Sequence, residues 1–104
     1  MMKMLPEMTV INTCDYNQTK LATIAIAEIF GPVYLRFGRP KVPNFTDPNL
    51  TFEIGKGIKL KDGNDVSIIC TGHLVWEAVQ AAKELYNKNI SCDVINIHTI
   101  KPLD

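Results

Sequence analysis

The sequence predicts an α/β fold assembled from two incomplete three-layer β-α-β units. Three observations carry this. Short apolar runs recur along the chain, at Met8–Ile11, Val33–Leu35, Val66–Cys70 and Cys92–Ile97, and runs of that length bounded by turn residues suit buried strands. Two longer stretches between them, beginning near Asp15 and His73, place apolar residues at helical spacing. Residues 37–51, with Gly38, Pro40, Pro43 and Pro48 among small polar residues, part the first strand–helix–strand group from the second. Strands that alternate with helices build parallel sheets.

Met8-Thr9-Val10-Ile11 is the first strand. Asp15 then starts a helix, with Gln18 three residues on, the spacing of a capping box. The helix is expected to run to about Phe30 through Leu21, Ile24, Ala25 and Ile29. Its other face carries Ala22, Ile26 and Ala27, which predicts cover on more than one side. Gly31-Pro32 ends it, and Pro32–Arg36 is the next strand. Residues 37–51 read as an exposed linker and the best place for a domain boundary. Thr51–Lys61 alternates loosely around Gly55 and Gly57 and reads as a short, bent strand pair closed by the turn Asp62-Gly63-Asn64. Val66–Cys70 is a buried strand. Thr71-Gly72 turns into a helix from about His73 to Asn87, with the stripe Val75, Ala78, Val79, Ala82 and Leu85. Cys92–Ile97 is a further buried strand, which Ile100–Asp104 leaves.

A single β-α-β unit yields two parallel strands, too few to bury both faces, and Met8–Ile11 has no strand before it to pair with. The chain therefore reads as the middle of a larger protein, the tail of one α/β domain and the head of another.

Its 104 residues suffice for one domain or parts of two. An apolar fraction of 46% is ordinary for a folded protein. With 11 basic and 11 acidic residues the net charge is zero, which argues against nucleic acid and membrane surfaces as partners. Cys14, Cys70 and Cys92 are widely spaced and odd in number, and two lie in apolar runs, so they read as reduced core thiols of a cytoplasmic protein rather than metal or redox groups. Met1–Val10 holds Lys3, Pro6 and Glu7 and is neither a signal peptide nor a membrane span.

The most informative stretch is Gly31-Pro-Val-Tyr-Leu-Arg-Phe-Gly-Arg-Pro-Lys-Val-Pro43. An arginine on a stiff loop at a strand end is suited to gripping a phosphate or carboxylate. Arg36 and Arg39 are three apart, so an extended strand would point them to opposite faces unless the chain bends at Gly38. Pro40 biases Arg39 toward extended backbone and places it just past a strand's carboxyl end, where α/β sheets bind ligands. A solvated surface arginine is the competing reading. Asp15 is explained by helix capping more readily than by catalysis. His73 and His98 lack partners at metal-ligand spacing and read as structural. Thr71-Gly72-His73 has the form of a small anion nest, a weak signal because strand-to-helix turns commonly look so. Trp76 and Tyr86 read as packing residues.

Four blocks, taken together, resemble the transketolases, and most closely the C-terminal subunit of those encoded as two polypeptides. They are Gly31–Pro43, Phe52-Glu-Ile-Gly-Lys-Gly57, Gly63-Asn-Asp-Val-Ser-Ile-Ile-Cys-Thr-Gly-His73 and Val94-Ile-Asn-Ile-His-Thr-Ile-Lys-Pro-Leu-Asp104. The resemblance implies residues 1–44 as the end of a pyrimidine-binding domain, 45–50 as a linker and 51–104 as the first half of the transketolase C-terminal domain. It implies an enzyme of the pentose phosphate pathway that uses thiamine diphosphate with Mg²⁺ or Ca²⁺ and moves a two-carbon ketol unit between sugar phosphates. Arg39 matches the family's arginine for the substrate phosphate. Arg36, seen in the two-polypeptide branch, is the second candidate. The cofactor and metal residues fall outside this chain, so the fragment alone is expected to be inactive and to bind neither. An N-terminal transketolase region or subunit, and a dimer or a domain-swapped homo-oligomer, are the implied partners. Two readings compete. One is the beta subunit of a 2-oxo acid dehydrogenase or deoxyxylulose phosphate synthase, which end the corresponding strand with runs like Lys101-Pro-Leu-Asp104. The other is a non-catalytic α/β module for subunit contact or anion binding.

Overall fold

The computed structural model of the protein describes residues 2–38, 43–46 and 52–104. After a 3-10 turn at Met2–Met4 come β1 (Thr9–Asn12), α1 (Tyr16–Ile26), β2 (Val33–Arg36), β3 (Ile58–Lys61), β4 (Val66–Cys70), α2 (Leu74–Asn87), β5 (Cys92–Asn96) and β6 (Thr99–Lys101). They form two three-stranded sheets, β2-β1-β6 and β3-β5-β4. The two predicted β-α-β units are both present: β1 runs parallel to β2, and β4 parallel to β5.

Each sheet also gains one antiparallel strand. β3 pairs with β5 across a register shift between Lys59 and Lys61. The expected strand pair before Asp62 is thus, within the described residues, one strand that pairs with β5 instead of with a neighbour. β6 pairs with β1. Residues 99–101 leave β5, as expected, but only to cross from one sheet to the other. The crossing is tied at both sides: Ile97 N–H donates to the Cys70 carbonyl at 2.8 Å and Asn12 N–H to the His98 carbonyl at 2.8 Å. Strands from both halves of the sequence therefore share one sheet.

α2 shows why an amphipathic stripe is a reliable signal. Its Ala78 and Ala82 pack with Cys92 and Val94 of β5, and Leu60, Ile68, Cys70, Val79, Leu85 and Ile90 close around them. α1 differs from its expectation. It ends at Ile26, and the chain continues in tight turns, Glu28 N–H to Ala25 and Ile29 N–H to Ile26, before Gly31 at φ +122°. Only the face bearing Gln18 and Ala22 is buried, while Ile24 is 58% exposed. The apolar residues all round its surface do not find cover on two sides among the described residues.

Several of the largest fully buried side chains are polar, Asn96, His98 and Thr99. All three lie where β5 hands over to β6. Buried polar groups are retained where they are bonded, and Thr99 Oγ1 accepts from Gly55 N–H at 3.0 Å while lying 2.9 Å from His98 Nδ1. No helix is long and apolar enough to cross a membrane among the described residues.

Candidate functional site

The carboxyl ends of β1 and β2 and the turn entering α2 come together at one place. β1 ends in Asn12, after which Thr13, Cys14 and Asp15 turn into α1. Asp15 is the N-cap. It is extended at φ −153° and its Oδ1 accepts from Gln18 N–H at 2.9 Å. Gln18 Oε1 reaches back to accept from Cys14 N–H at 2.9 Å, one residue before the cap. The reciprocal pair read from the sequence is therefore present, with its return bond displaced by one position.

The cap does more than close the helix. Asp15 Oδ2 also accepts from Phe45 N–H at 3.0 Å and Thr46 N–H at 2.7 Å, 30 and 31 residues away in sequence. The Thr46 hydroxyl lies 2.7 Å from both carboxylate oxygens and donates to them. Asn17 Nδ2 donates to the Thr46 carbonyl at 2.6 Å, and Asn17 N–H to Asn44 Oδ1 at 3.1 Å. The Phe45 ring lies 5.2 Å from that of Trp76 on α2. Segment 43–46 is thereby fastened to both helices.

β2 delivers Arg36, whose carbonyl accepts from Thr13 N–H at 3.2 Å. Its side chain is exposed. Phe37 and Gly38 follow. On the opposite wall the turn after β4 brings Thr71, Gly72 and His73. Gly72 is buried at φ +66°, and a Cβ there would stand 2.6 Å from Asn12 Nδ2. A side chain there would have to push the Asn12 amide aside, and the left-handed backbone favours glycine. Between these parts lie two cavities that share Phe37, Gly38 and His73 as walls. One, of about 280 Å³, is bounded by Thr13, Cys14, Asp15 and Tyr16, and the other, of about 390 Å³, by Asn12, Arg36, Thr71 and Gly72.

The structure sorts the sequence candidates. Arg36 and the Thr71–His73 turn share a cavity. Arg39 lies outside the described residues, one position beyond Gly38. Asp15 is consumed by structure: its oxygens serve four protein donors. Cys14 is pushed up to about 12, first by burial and then by the neighbouring Asp15 charge, which removes it as a nucleophile at neutral pH. Burial likewise raises the Cys70 thiol. His73, read as structural, stands exposed on the wall of both cavities. His98 lies elsewhere. It is wholly buried with Phe52 stacked at 4.1 Å, its Nε2 has no partner among the described residues, and burial lowers its pKa against the pull of the Lys56 backbone and Asp104. Tyr86, read as packing, is 67% exposed and meets Lys61 Nζ at 5.4 Å. Thr46 and Asn12 carry no signal in the sequence. Nothing in a single sequence marks a linker threonine for a carboxylate thirty residues earlier.

Among the described residues no three His, Cys, Asp or Glu side chains gather as metal ligands. The Asp15 carboxylate is already taken up by protein donors.

Residues 55–104 match the family "Transketolase, C-terminal domain". Along 99% of its length the chain aligns with a split gene transketolase chain of known structure, at 41% identity and a TM-score of 0.93, covering 34% of that chain. The chain belongs to the transketolase family. Curated relatives agree. The 6-deoxy-6-sulfo-D-fructose transketolase subunit of Clostridium sp. (strain MSTE9) is 40% identical over 103 residues, 99% of this chain and 32% of the relative. An apulose-4-phosphate transketolase subunit of Phocaeicola vulgatus is 35% identical over 104 residues, 99% of this chain and 33% of the relative. The chain thus spans about a third of the length of the relatives it matches.

Proposed function

We propose that the chain is a section of a transketolase that moves a two-carbon ketol unit between sugar phosphates, and that it contributes the arginines that grip the substrate's phosphate. The observation that carries this reading is the meeting of the arginine-bearing strand end with the cleft. Arg36 lines it beside Gly72, Gly38 lines it too, and Arg39 is the next residue along. Two relatives are named for sugars with an acidic group, a sulfonate in one and a phosphate in the other. A planar guanidinium takes either in a forked pair of hydrogen bonds.

The transketolase family works with thiamine diphosphate, which supplies the carbanion chemistry when bound. The described residues gather no cluster of ligands for a cation, and we assign the contacts of the cofactor and of Mg²⁺ to the rest of the enzyme. An N-terminal section or subunit is the implied partner. The relatives named as subunits support this. We place the boundary between pyrimidine and C-terminal domains in residues 45–50, the first two of which Asp15 holds. Three free thiols support a reducing, cytoplasmic setting.

A coupled assay of the active enzyme containing this sequence, with xylulose 5-phosphate and ribose 5-phosphate, tests the reaction. Arg39→Ala tests the site. A lost arginine–phosphate contact of about 1.5–3 kcal/mol should raise KM for phosphorylated sugars roughly 10- to 100-fold. An unchanged KM would remove the arginine from the reading.

A further inference from the structure

The larger of the two cavities has an uneven lining. Arg36, Asn12, Thr71 and His73 supply its polar wall, Phe37 and Leu74 its apolar one, and no acidic side chain is among the described residues that line it. The chain as a whole carries as many acidic as basic groups. A hollow of about 390 Å³ that holds an arginine and a histidine but no carboxylate is therefore suited to an anion. Surface arginines commonly settle against a carboxylate. Among the described residues the ion pairs are those of Lys59 with Asp62 and Asp93, and neither involves Arg36.

Three side chains are placed to meet one ligand. Asn12 and Arg36 are register partners on β1 and β2, so they stand side by side on one face of the sheet. The strand end that carries Arg36 is fixed by Thr13 N–H. From β1 the Asn12 amide reaches the opposite wall, where its Nδ2 lies 2.6 Å from the place a Cβ on Gly72 would take. His73 follows Gly72. Its side chain is exposed and makes no capping bond to α2, so helix formation does not account for the imidazole. A guanidinium binds an acid group through a forked pair of N–H donors. The asparagine amide brings two further N–H groups, and an imidazole brings at least one in either charge state. Phe37 and Leu74 offer the apolar flank along which a carbon chain would lie.

We propose that Asn12 and His73, with Arg36, hold the terminal phosphate of the sugar substrate, an assignment that rests on the phosphate-binding reading above. It makes Asn12 and His73 determinants of the preference for phosphorylated over unphosphorylated sugars. It uses Arg36, and nothing in it depends on where Arg39 lies.

The test uses the active enzyme that contains this sequence. The readout is the ratio of KM for ribose 5-phosphate to KM for glycolaldehyde, an acceptor without phosphate. Asn12→Asp keeps the side chain's shape and replaces its donors by a negative charge, and the ratio should rise roughly fivefold to tenfold. His73→Ser removes the imidazole while leaving a good helix N-cap, so it preserves the fold, and the ratio should rise about twofold. His73→Gln, which returns an N–H donor, should bring the ratio back to the wild-type value. Inorganic phosphate, as an inhibitor competing with ribose 5-phosphate, should weaken in Asn12→Asp and His73→Ser by the same factors. An equal rise in KM for both acceptors, or an unchanged ratio and an unchanged phosphate inhibition constant in both variants, would overturn the proposal. If Arg36→Ala raises the ratio while those two variants do not, Asn12 and His73 fall and the arginine's role stands. If neither Arg36→Ala nor Arg39→Ala moves it, the phosphate-binding reading falls and takes the proposal with it.

Discussion

The two strand-to-helix turns occupy equivalent places and solve the same problem in opposite ways. At β1–α1, an aspartate caps the helix, a glutamine answers it, and the remaining oxygen of the carboxylate reaches across to the linker. At β4–α2, His73 makes no capping bond, Gly72 takes a left-handed backbone, and the Thr71 hydroxyl has no partner among the described residues. One turn is closed, its polar groups spent on structure. The other is open, its helix N-terminus facing a cavity beside Arg36. The difference teaches where to look for ligand chemistry: not at the buried carboxylate, which is the more conspicuous residue, but at the unfinished turn opposite the arginine strand.

The largest expected effect comes from breaking the closed turn. Asp15→Ala removes the cap and the grip on Phe45 and Thr46 at once, and leaves several donors unanswered in a buried place. Loss of a cap together with charge-assisted hydrogen bonds should cost about 3 kcal/mol, read as a lower denaturation midpoint in urea. A cost below about 1 kcal/mol would mean that the linker contacts contribute nothing beyond the cap.

Breaking the open turn should cost less. Gly72→Ala forces a side chain into φ +66° and brings Cβ to 2.6 Å from Asn12 Nδ2. The left-handed backbone costs alanine about 1 kcal/mol. The clash adds only what is needed to swing a terminal amide aside, for a total of about 2 kcal/mol. Were Gly72→Ala the worse of the two, the ranking of closed over open would be reversed, and the approach of α2 to β1 would be the tighter joint.

What is legible in the sequence follows the range of the forces involved. α2, β4 and β5 are plain because an amphipathic stripe and two apolar runs bury against each other within one short stretch of chain. The capping pair is plain because Asp15 and Gln18 are three apart. The grip of Asp15 on Thr46 is not, since it depends on where the linker passes in space. β6 is hidden for a related reason: Thr99-Ile-Lys101 is too short to announce a strand and becomes one by pairing with β1, far earlier in the chain. The apolar spacing overextends α1, because Ile29 and Phe30 continue the pattern although the backbone has already left the helix at Ala27. Composition alone reveals the arginine strand. Its partner wall, Gly72 and His73, has only the look of a generic turn, because nothing local says that the turn faces Arg36.

The smallest expected effect would close the open turn by design. His73→Asp places a carboxylate at the start of α2, where the helix dipole favours negative charge and no side chain caps the helix. Stability should rise by about 0.5 kcal/mol, and the gain should shrink in high salt. The same carboxylate would stand on the wall shared by both cavities, near Arg36. There it would compete with an incoming phosphate for the arginine and repel it. The variant should therefore be more stable and yet bind phosphorylated sugars more weakly, with KM up by about twofold to threefold at low salt. A stabilised enzyme with an unaltered KM would show that the open turn is a structural economy with no part in holding the substrate. That outcome would leave the arginine strand as the sole anion-binding wall of the cleft.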